Sequence, residues 1–175
     1  MTPKRAAILF LLAVLAGCGP DTRSAAAQAR WQSAPVPHYR LRTTDIIAGQ
    51  SCDQTVEVRG ETIVGILHNS CQHPNLWTVG WLFRAAEHAG TPAAPCAHSD
   101  PSAGCLCVYS AAARIQYDAA LGFPREIDSQ LSWAPNWQGF GYWSYAAQHL
   151  ALPACTPPAP IASQHIVVHE LKPLP

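Results

Sequence analysis

Thr55-Val-Glu-Val-Arg-Gly-Glu-Thr-Ile-Val-Gly-Ile-Leu67 is the clearest indication of the fold, because it contains two strand-like runs around a short turn. Val, Ile and Thr are enriched in strands, and two such runs that flank a Gly-containing turn indicate a β-hairpin. Gly60 can adopt the positive φ that a tight reversal between Arg59 and Glu61 requires. The sequence therefore predicts an antiparallel sheet that contains this hairpin.

Further strand-like segments lie on both sides of the hairpin. Upstream, Tyr39 and Leu41 alternate with Arg40 and Arg42, which is typical of a half-buried strand. Pro35 precedes this alternation and excludes a regular helix there. Downstream, strand character recurs at residues 113–117, 125–131 and 166–171.

One segment, Thr78 to Gly90, has the pattern of a helix. Thr78 can cap its N-terminus, and we expect Gly90 to end it in the left-handed conformation. Apolar residues recur between them at helical spacing: Val79, Leu82, Phe83, Ala86 and Ala89. We therefore expect an α+β domain, an antiparallel sheet of about four to five strands with one helix packed on one face and disulfide cross-links.

The N-terminal residues have the pattern of a bacterial export signal. Lys4 and Arg5 precede the apolar run 6–16, which is too short to span about 30 Å of hydrocarbon. The following Leu15-Ala-Gly-Cys18 resembles the lipobox of bacterial lipoproteins, and the resemblance implies that Cys18 is lipidated. The alternative is an ordinary secreted protein in which Cys18 is part of a cleavage region.

This interpretation divides the chain into three parts and gives it a location. We expect a lipoprotein signal peptide at 1–17, a lipidated Cys18 with a flexible tether through Arg30, and one globular domain at 31–175 with a Pro-rich C-terminal segment. Gly19 follows the cysteine where an inner-membrane protein often has Asp. The expected location is the cell envelope, lipid-anchored to a membrane, with the outer membrane favoured.

Charge excludes one large class of function. Lys+Arg and Asp+Glu both number 11, so the formal net charge is zero, and it becomes about −2 once Lys4 and Arg5 are removed with the leader. Nucleic-acid binders usually carry a basic patch or a high pI. We therefore expect no nucleic-acid partner, and the hydrophobic fraction of 49% excludes a wholly disordered chain.

The cysteines beyond Cys18 indicate disulfides. An even number in an exported chain favours cross-links, and here six remain: Cys52, Cys71, Cys96, Cys105, Cys107 and Cys155. Six cysteines allow fifteen pairings. We favour Cys52–Cys71, which flank the hairpin, then Cys96–Cys105 across a loop and Cys107–Cys155 as a tie to the C-terminal region.

A metal site is the weaker interpretation of the same residues. His68, Cys71 and His73 place three possible ligands close together, but the paired CxxC spacing of structural zinc sites is absent. His165 and His169 flank a β-branched segment, and on a strand they would lie about 13 Å apart. We therefore expect no metal and no cofactor, with a periplasmic metal-handling protein as the alternative function.

A family resemblance covers residues 31–131. The segment Tyr117-Asp118-Ala-Ala-Leu-Gly122-Phe-Pro124-Arg-Glu-Ile127 resembles the YD-x-x-x-G-x-P-x-x-I hallmark of an uncharacterised family of bacterial lipoproteins, a domain of unknown function. The resemblance implies a shared fold and assigns no catalytic or binding residue. Read from the residues alone, Asp118 is a turn former, Gly122 supplies a positive φ and Pro124 starts a strand.

An aromatic segment is the best candidate for a binding function. Nearly half of the aromatic residues after the leader fall within it: Trp133, Trp137, Phe140, Tyr142, Trp143 and Tyr145. Aromatic rings dominate interface energetics, so an exposed cluster can bind a protein or a glycan. The alternative is that these rings cover an open face of the sheet, helped by turns at Gly139 and Gly141.

Catalytic motifs give little support to an enzyme. The G-x-S-x-G elbow of hydrolases is absent, since Ser144 lacks the closing glycine, and no phosphate loop or dinucleotide fingerprint occurs. We therefore expect a non-catalytic binding or structural module for a protein or glycan partner. A hydrolytic enzyme is the less favoured alternative.

Overall fold

The computed structural model describes residues 22–72, 76–91, 105–155 and 163–175. Within these ranges, helices and strands follow in the order α1β1β2β3α2β4β5α3β6. The helices are α1 (Thr22–Ser33), α2 (Val79–His88) and α3 (Phe140–His149). The strands are β1 (His38–Ile47), β2 (Gln50–Arg59), β3 (Thr62–Asn69), β4 (Cys107–Tyr117), β5 (Pro124–Pro135) and β6 (Gln164–Pro173).

All six strands form one sheet in the order β3-β2-β1-β6-β5-β4, and every paired neighbour is antiparallel. The last strand, β6, lies between β1 and β5 and joins the N-terminal three strands to the β4–β5 hairpin. The α+β class is therefore confirmed, but the expected four to five strands is too few. The local sequence pattern predicts that each of the six segments is a strand. Only the long-range strand pairing shows that all six belong to the same sheet.

The core lies between α2 and one face of the sheet. Tyr39 and Leu41 of β1 are fully buried, as the alternation predicts, and the fully buried Val79 and Leu82 come from α2. The Thr78 side chain accepts a hydrogen bond from the Trp81 backbone N–H at 3.2 Å, which is the expected N-cap.

The C-terminal end of α2 differs from the prediction. Its C-cap is Ala89 in the right-handed conformation, and Gly90 is not among the positive-φ glycines. The Thr91 N–H donates to the His88 carbonyl at 2.9 Å, so a turn closes this end without a left-handed residue.

Tyr39 joins β1 to the start of α2. Its hydroxyl accepts a hydrogen bond from the Val79 backbone N–H at 3.1 Å, inside the core. Burial raises the pKa of Tyr39 to about 12, the nearby Glu61 carboxylate adds to the rise, and the Val79 hydrogen bond opposes it. The hydroxyl thus satisfies one of the free N–H groups at the first turn of α2.

Helix α1 occupies most of the segment that the sequence assigns to a flexible tether. Ala27 and Trp31 are buried, and the Trp31 ring makes edge contacts with Tyr39 at 6.2 Å and Phe123 at 6.3 Å. The tether prediction is therefore wrong from Thr22 onward. Alanine is the best helix former, but only two buried positions mark the packed face of α1, too few for a periodic pattern.

Two disulfides cross-link the fold. Cys52–Cys71, with Cα atoms 4.9 Å apart, joins β2 to the end of β3, and Cys107–Cys155, at 5.7 Å, joins β4 to the segment after α3. Both pairings confirm the sequence prediction. Cys105 is also disulfide-bonded, while Cys96, its expected partner, lies outside the described residues.

The predicted signal peptide and Cys18 also fall outside the described residues. In the part of the chain that the structure describes, no helix combines the length and hydropathy needed to cross a membrane.

Candidate partner-binding surface

The aromatic segment lies on a ribbon that extends beyond the rest of the sheet. Strand β5 pairs with β6 only at residues 126–129, whereas it pairs with β4 along residues 124–135. Trp133 lies in the unsupported half of β5, and its ring packs on Tyr109 of β4 with centroids 4.5 Å apart. The chain then turns into α3 at the end of this ribbon.

Helix α3 is attached to the start of β4 by a disulfide and by hydrogen bonds. The Asn136 Nδ2 donates to the Cys105 carbonyl at 2.8 Å, and the Asn136 N–H donates to the Leu106 carbonyl at 2.9 Å. A Cβ at Gly139 would overlap the Asn136 amide group, so a larger residue there would displace this side chain from its hydrogen bond to Cys105. With Cys107–Cys155 on the other side of α3, both ends of the helix are fixed.

Three rings form a cluster at the start of α3, which we call the ring cluster: Trp137, Tyr142 and Trp143. Their centroids lie 4.9 Å (Trp137 to Tyr142), 5.4 Å (Tyr142 to Trp143) and 6.0 Å (Trp137 to Trp143) apart. The Trp143 Nε1 donates to the Trp137 carbonyl at 3.0 Å, which fixes the two indoles relative to each other. Two half-exposed indoles thus rest on a buried phenol.

The structure separates the six candidate aromatics into two groups. Trp137, Phe140 and Trp143 are exposed, so they are available to a partner. The others are covered: Tyr142 is buried, Trp133 is half-buried on Tyr109, and Tyr145 is half-buried and stacked on His149 with centroids 4.0 Å apart. Tyr142 is therefore excluded as a contact residue.

The expected turn at Gly141 is also wrong, because this glycine lies within α3. The segment contains little helix pattern, since only Tyr142 of α3 is buried. A helix whose packed face is one residue wide cannot be recognised from apolar periodicity.

The residues of the segment 117–127, which resembles a family hallmark, all have structural contacts. Asp118 Oδ1 accepts from the backbone N–H groups of Ala120 (3.0 Å) and Leu121 (2.8 Å), which is the predicted turn. Gly122 has φ +84°, and a Cβ there would overlap the Ala27 carbonyl of α1. The turn therefore packs closely against α1, and Gly122 is needed for this close approach as well as for the positive φ. The turn pattern in the sequence predicts only the positive φ.

The rest of the hallmark lies in or beside the core. Tyr117 stacks on Phe83 with centroids 6.4 Å apart, Pro124 begins β5, and Ile127 is buried. These contacts leave Asp118 as a turn former.

The metal alternative conflicts with the structure. The Cys71 sulfur is bonded to Cys52 and cannot act as a thiolate ligand, and His73 lies outside the described residues. His165 Nε2 lies 2.9 Å from Glu126, and His169 Nε2 lies 2.7 Å from the Thr44 hydroxyl, so each His has its own partner. Across the described ranges, no group of three or more His, Cys, Asp or Glu is placed to hold a metal ion.

A polar network on the strands connects residues that are distant in sequence. The Thr44 hydroxyl donates to Asp53 Oδ1 at 2.5 Å and lies 2.7 Å from His169 Nε2. Since the hydroxyl proton goes to the carboxylate, the histidine nitrogen is the donor in the second contact. This is the reverse of a nucleophile–base pair, in which histidine accepts the hydroxyl proton. Only strand pairing brings these residues together, and no sequence signal marks them.

Comparison with known proteins yields no relative for this chain: no family model, no curated protein and no solved structure matches it. The function of the chain is therefore inferred from its own residues.

Proposed function

We propose that the chain is a lipid-anchored, non-catalytic binding module of the bacterial cell envelope. The observation that carries the proposal is the tetrapeptide Leu15-Ala-Gly-Cys18 directly after a charged start and a short apolar run. Lipid on Cys18 would hold the domain at a membrane, with the outer membrane favoured. Its disulfides suit the oxidising side of that membrane.

The binding part of the proposal is the ring cluster, and its partner is an envelope protein or a glycan. Trp137 and Trp143 are 53% and 52% exposed, although tryptophan is usually well buried. An indole face can stack on a sugar ring or fill a pocket on a protein, and tryptophan is enriched among the residues that carry interface energy. The fixed ends of α3 reduce the ordering cost of such binding.

Contacts of the acidic residues support a non-catalytic role. Asp118 is engaged in a turn, Asp53 accepts the Thr44 hydroxyl proton, and both oxygens of the buried Asp45 lie 3.2 Å from the Gln164 Nε2 donor. Each of these three carboxylates thus has hydrogen-bond donors within the fold.

The anchor is tested by labelling. Cells that express the full chain are fed an alkyne fatty acid, and the labelled protein is compared with a Cys18→Ser variant. We expect label and membrane fractionation for the parent chain and neither for the variant. A parent chain that is processed and folded but carries no acyl label would contradict the anchor.

The binding role is tested by capture from envelope extract and by sedimentation with purified peptidoglycan. We expect Trp137→Ala to lower retention at least about tenfold, the equivalent of about 1.4 kcal/mol. Trp81→Ala is the matched control, because Trp81 is a 50% exposed tryptophan on α2 with the Arg84 guanidinium 4.2 Å from its ring. Equal retention of both variants, or no retained partner, would refute a binding role for the cluster.

A further inference from the structure

A second feature of α3 is an apolar face directed away from the domain, which we call the apolar stripe: Phe140, Trp143, Ala147 and Leu150. The spacing of three, seven and ten residues places these side chains on one side of the helix. Phe140 is 86% exposed and Leu150 is 93% exposed, while the one buried residue of the helix, Tyr142, lies on another side. The usual amphipathic arrangement is thus reversed, since most of the apolar surface is outside.

Leu150 is unfavourable in two independent ways. It ends α3 in the left-handed conformation, with φ 51°, which leucine rarely adopts and which glycine or asparagine adopts readily. Its side chain is also almost fully exposed. A residue that stabilises neither the backbone nor the core indicates a role for the side chain outside the folded domain.

The stretch of sequence that contains the stripe carries no acidic residue, lysine or arginine. Between Asp128 and Glu170 the sequence contains no Lys, Arg, Asp or Glu, although the chain has 22 such residues. The uncharged segment includes all of α3 and the exposed Leu152. Transfer of this surface into a weakly polar medium therefore requires no desolvation of a charged side chain.

The proposed lipid would hold this side of the sheet near a bilayer. Because α1 begins at Thr22, only three residues lie between this helix and Cys18, and the four Cα–Cα steps span at most about 14 Å. Ser24 of α1 lines the same groove as Ile115 of β4, and α3 is tied to the first residue of β4 by Cys107–Cys155. The anchored end and α3 thus lie near opposite ends of β4, about 26 Å apart along the strand. Because β4 is the outer strand of the sheet, both can reach a bilayer when this edge lies along it.

We propose that the apolar stripe inserts into the interfacial layer of the lipid bilayer that holds the domain. Exposed Phe and Leu form neither hydrogen bonds nor sugar-stacking faces of the Trp type, whereas Trp, Phe and Leu together are typical of the buried face of interfacial helices. The insertion rests on the lipid anchor of the proposed function for its location. It shares Trp143 with the ring cluster, and its other side chains are different. It orients the domain and places the neighbouring Trp137 at the level of the headgroups.

The test measures fluorescence quenching with the full chain, exported and processed by a bacterial host and reconstituted into phosphatidylcholine vesicles with brominated acyl chains. Bromine quenches nearby tryptophan, and Trp143 lies on the stripe. We expect strong quenching for the parent chain and loss of most of it for Phe140→Ser/Leu150→Asn. Quenching should be unchanged between about 0.1 M and about 1 M salt, which shortens the Debye length from about 10 Å to about 3 Å, because the stripe is uncharged.

Two variants separate insertion from misfolding. Leu150→Asn suits the left-handed position, so its unfolding midpoint should equal or exceed that of the parent while its quenching falls. Leu67→Asn is the matched control, the same change at a 51% exposed leucine in β3, and we expect no effect on quenching. Equal quenching of the parent and the double variant overturns the inference. A double variant that loses protein or glycan capture but keeps the quenching of the parent also overturns it.

Flotation of the same chains distinguishes failure of the anchor from failure of insertion. An acyl label without quenching retains the anchor and refutes insertion. If the parent carries no acyl label, the chains are floated with plain phosphatidylcholine vesicles. A vesicle-binding constant about tenfold lower for Leu150→Asn than for the parent is the effect of one inserted leucine, and it supports insertion without the anchor. No flotation of the unlabelled parent refutes both.

Discussion

Replacement of Tyr39 by Phe tests the contact between the sheet and the start of α2. The hydroxyl is buried in the core and accepts the Val79 backbone N–H at 3.1 Å. Phe keeps the ring and its contacts but leaves this N–H without its acceptor. A buried donor that loses its partner costs about 1–3 kcal/mol, so we expect Tyr39→Phe to lower the free energy of unfolding at pH 7 by about 1.5 kcal/mol.

The same hydroxyl makes the effect depend on pH. Burial raises the pKa of Tyr39 from 10.0 to about 12 in the folded protein. Between those values the unfolded chain releases the phenolic proton and the folded chain retains it, so stability falls by about 1.4 kcal/mol per pH unit as pH rises. The loss is about 2.3 kcal/mol at about pH 12 and approaches about 2.7 kcal/mol above it, and Phe does not undergo it.

The two effects have opposite signs above pH 10, so the stability order of the two proteins should reverse. With a cost of about 1.5 kcal/mol at neutral pH, parent and variant become equally stable near about pH 11. Equilibrium denaturant unfolding at several pH values, followed by tryptophan fluorescence, measures the difference. Tyr145→Phe, at a half-buried phenol of α3, controls for the general loss of one phenol.

A stability difference that stays constant from neutral pH to about pH 11.5 would refute the buried, hydrogen-bonded hydroxyl. A Tyr39→Phe variant that is more stable than the parent at pH 7 would refute the hydrogen bond to Val79.

Three further substitutions test the turn and the attachment of α3. Gly122→Ala should cost more than about 2 kcal/mol in denaturant unfolding, because φ is +84° and the Cβ overlaps the Ala27 carbonyl. Asp118→Ala should cost about 1 kcal/mol, since two backbone N–H groups lose their acceptor. Cys107→Ser/Cys155→Ser should cost up to about 4 kcal/mol from a 48-residue loop and expose the α3 amides to hydrogen exchange.

Each of these changes has a matched comparison. Gly49→Ala shares a φ of +80° but meets no atom within 4 Å, so an equal loss at both glycines would contradict the close approach of α1. Asp118→Asn keeps the Oδ1 acceptor and should restore most of the stability. Cys52→Ser/Cys71→Ser opens a 19-residue loop and should cost about 3 kcal/mol without freeing α3; α3 exchange that rises equally in both cysteine variants would refute local attachment.

Elements with strong local signals agree with the structure. The hairpin around Gly60, the capped start of α2 and the Asp118 turn each depend on residues a few positions apart, so their chemistry is visible in the sequence. The Cys52–Cys71 pair agrees too, because the predicted hairpin brings its ends close. The Cys107–Cys155 pair also agrees, although no predicted element places these two residues together.

The sequence pattern does not predict the two helices that bury few residues. Helix α1 buries only Ala27 and Trp31, and α3 buries only Tyr142, so neither has the apolar periodicity of a packed helix. Composition locates the candidate surface, but it cannot show that the Tyr142 side chain is buried while the Phe140 side chain is exposed. That division depends on which side of α3 meets the ribbon.

The export pattern, the uncharged aromatic segment and the strand and turn positions can be predicted from the sequence alone. They depend only on residue type and on short spacing along the chain. The tertiary structure is needed to show that β6 lies between β1 and β5, that Gly122 contacts α1 closely, and that α3 exposes an apolar stripe to solvent. These features depend on contacts between residues far apart in the chain. Such contacts are selected by the packing of the whole core, so no local pattern encodes them.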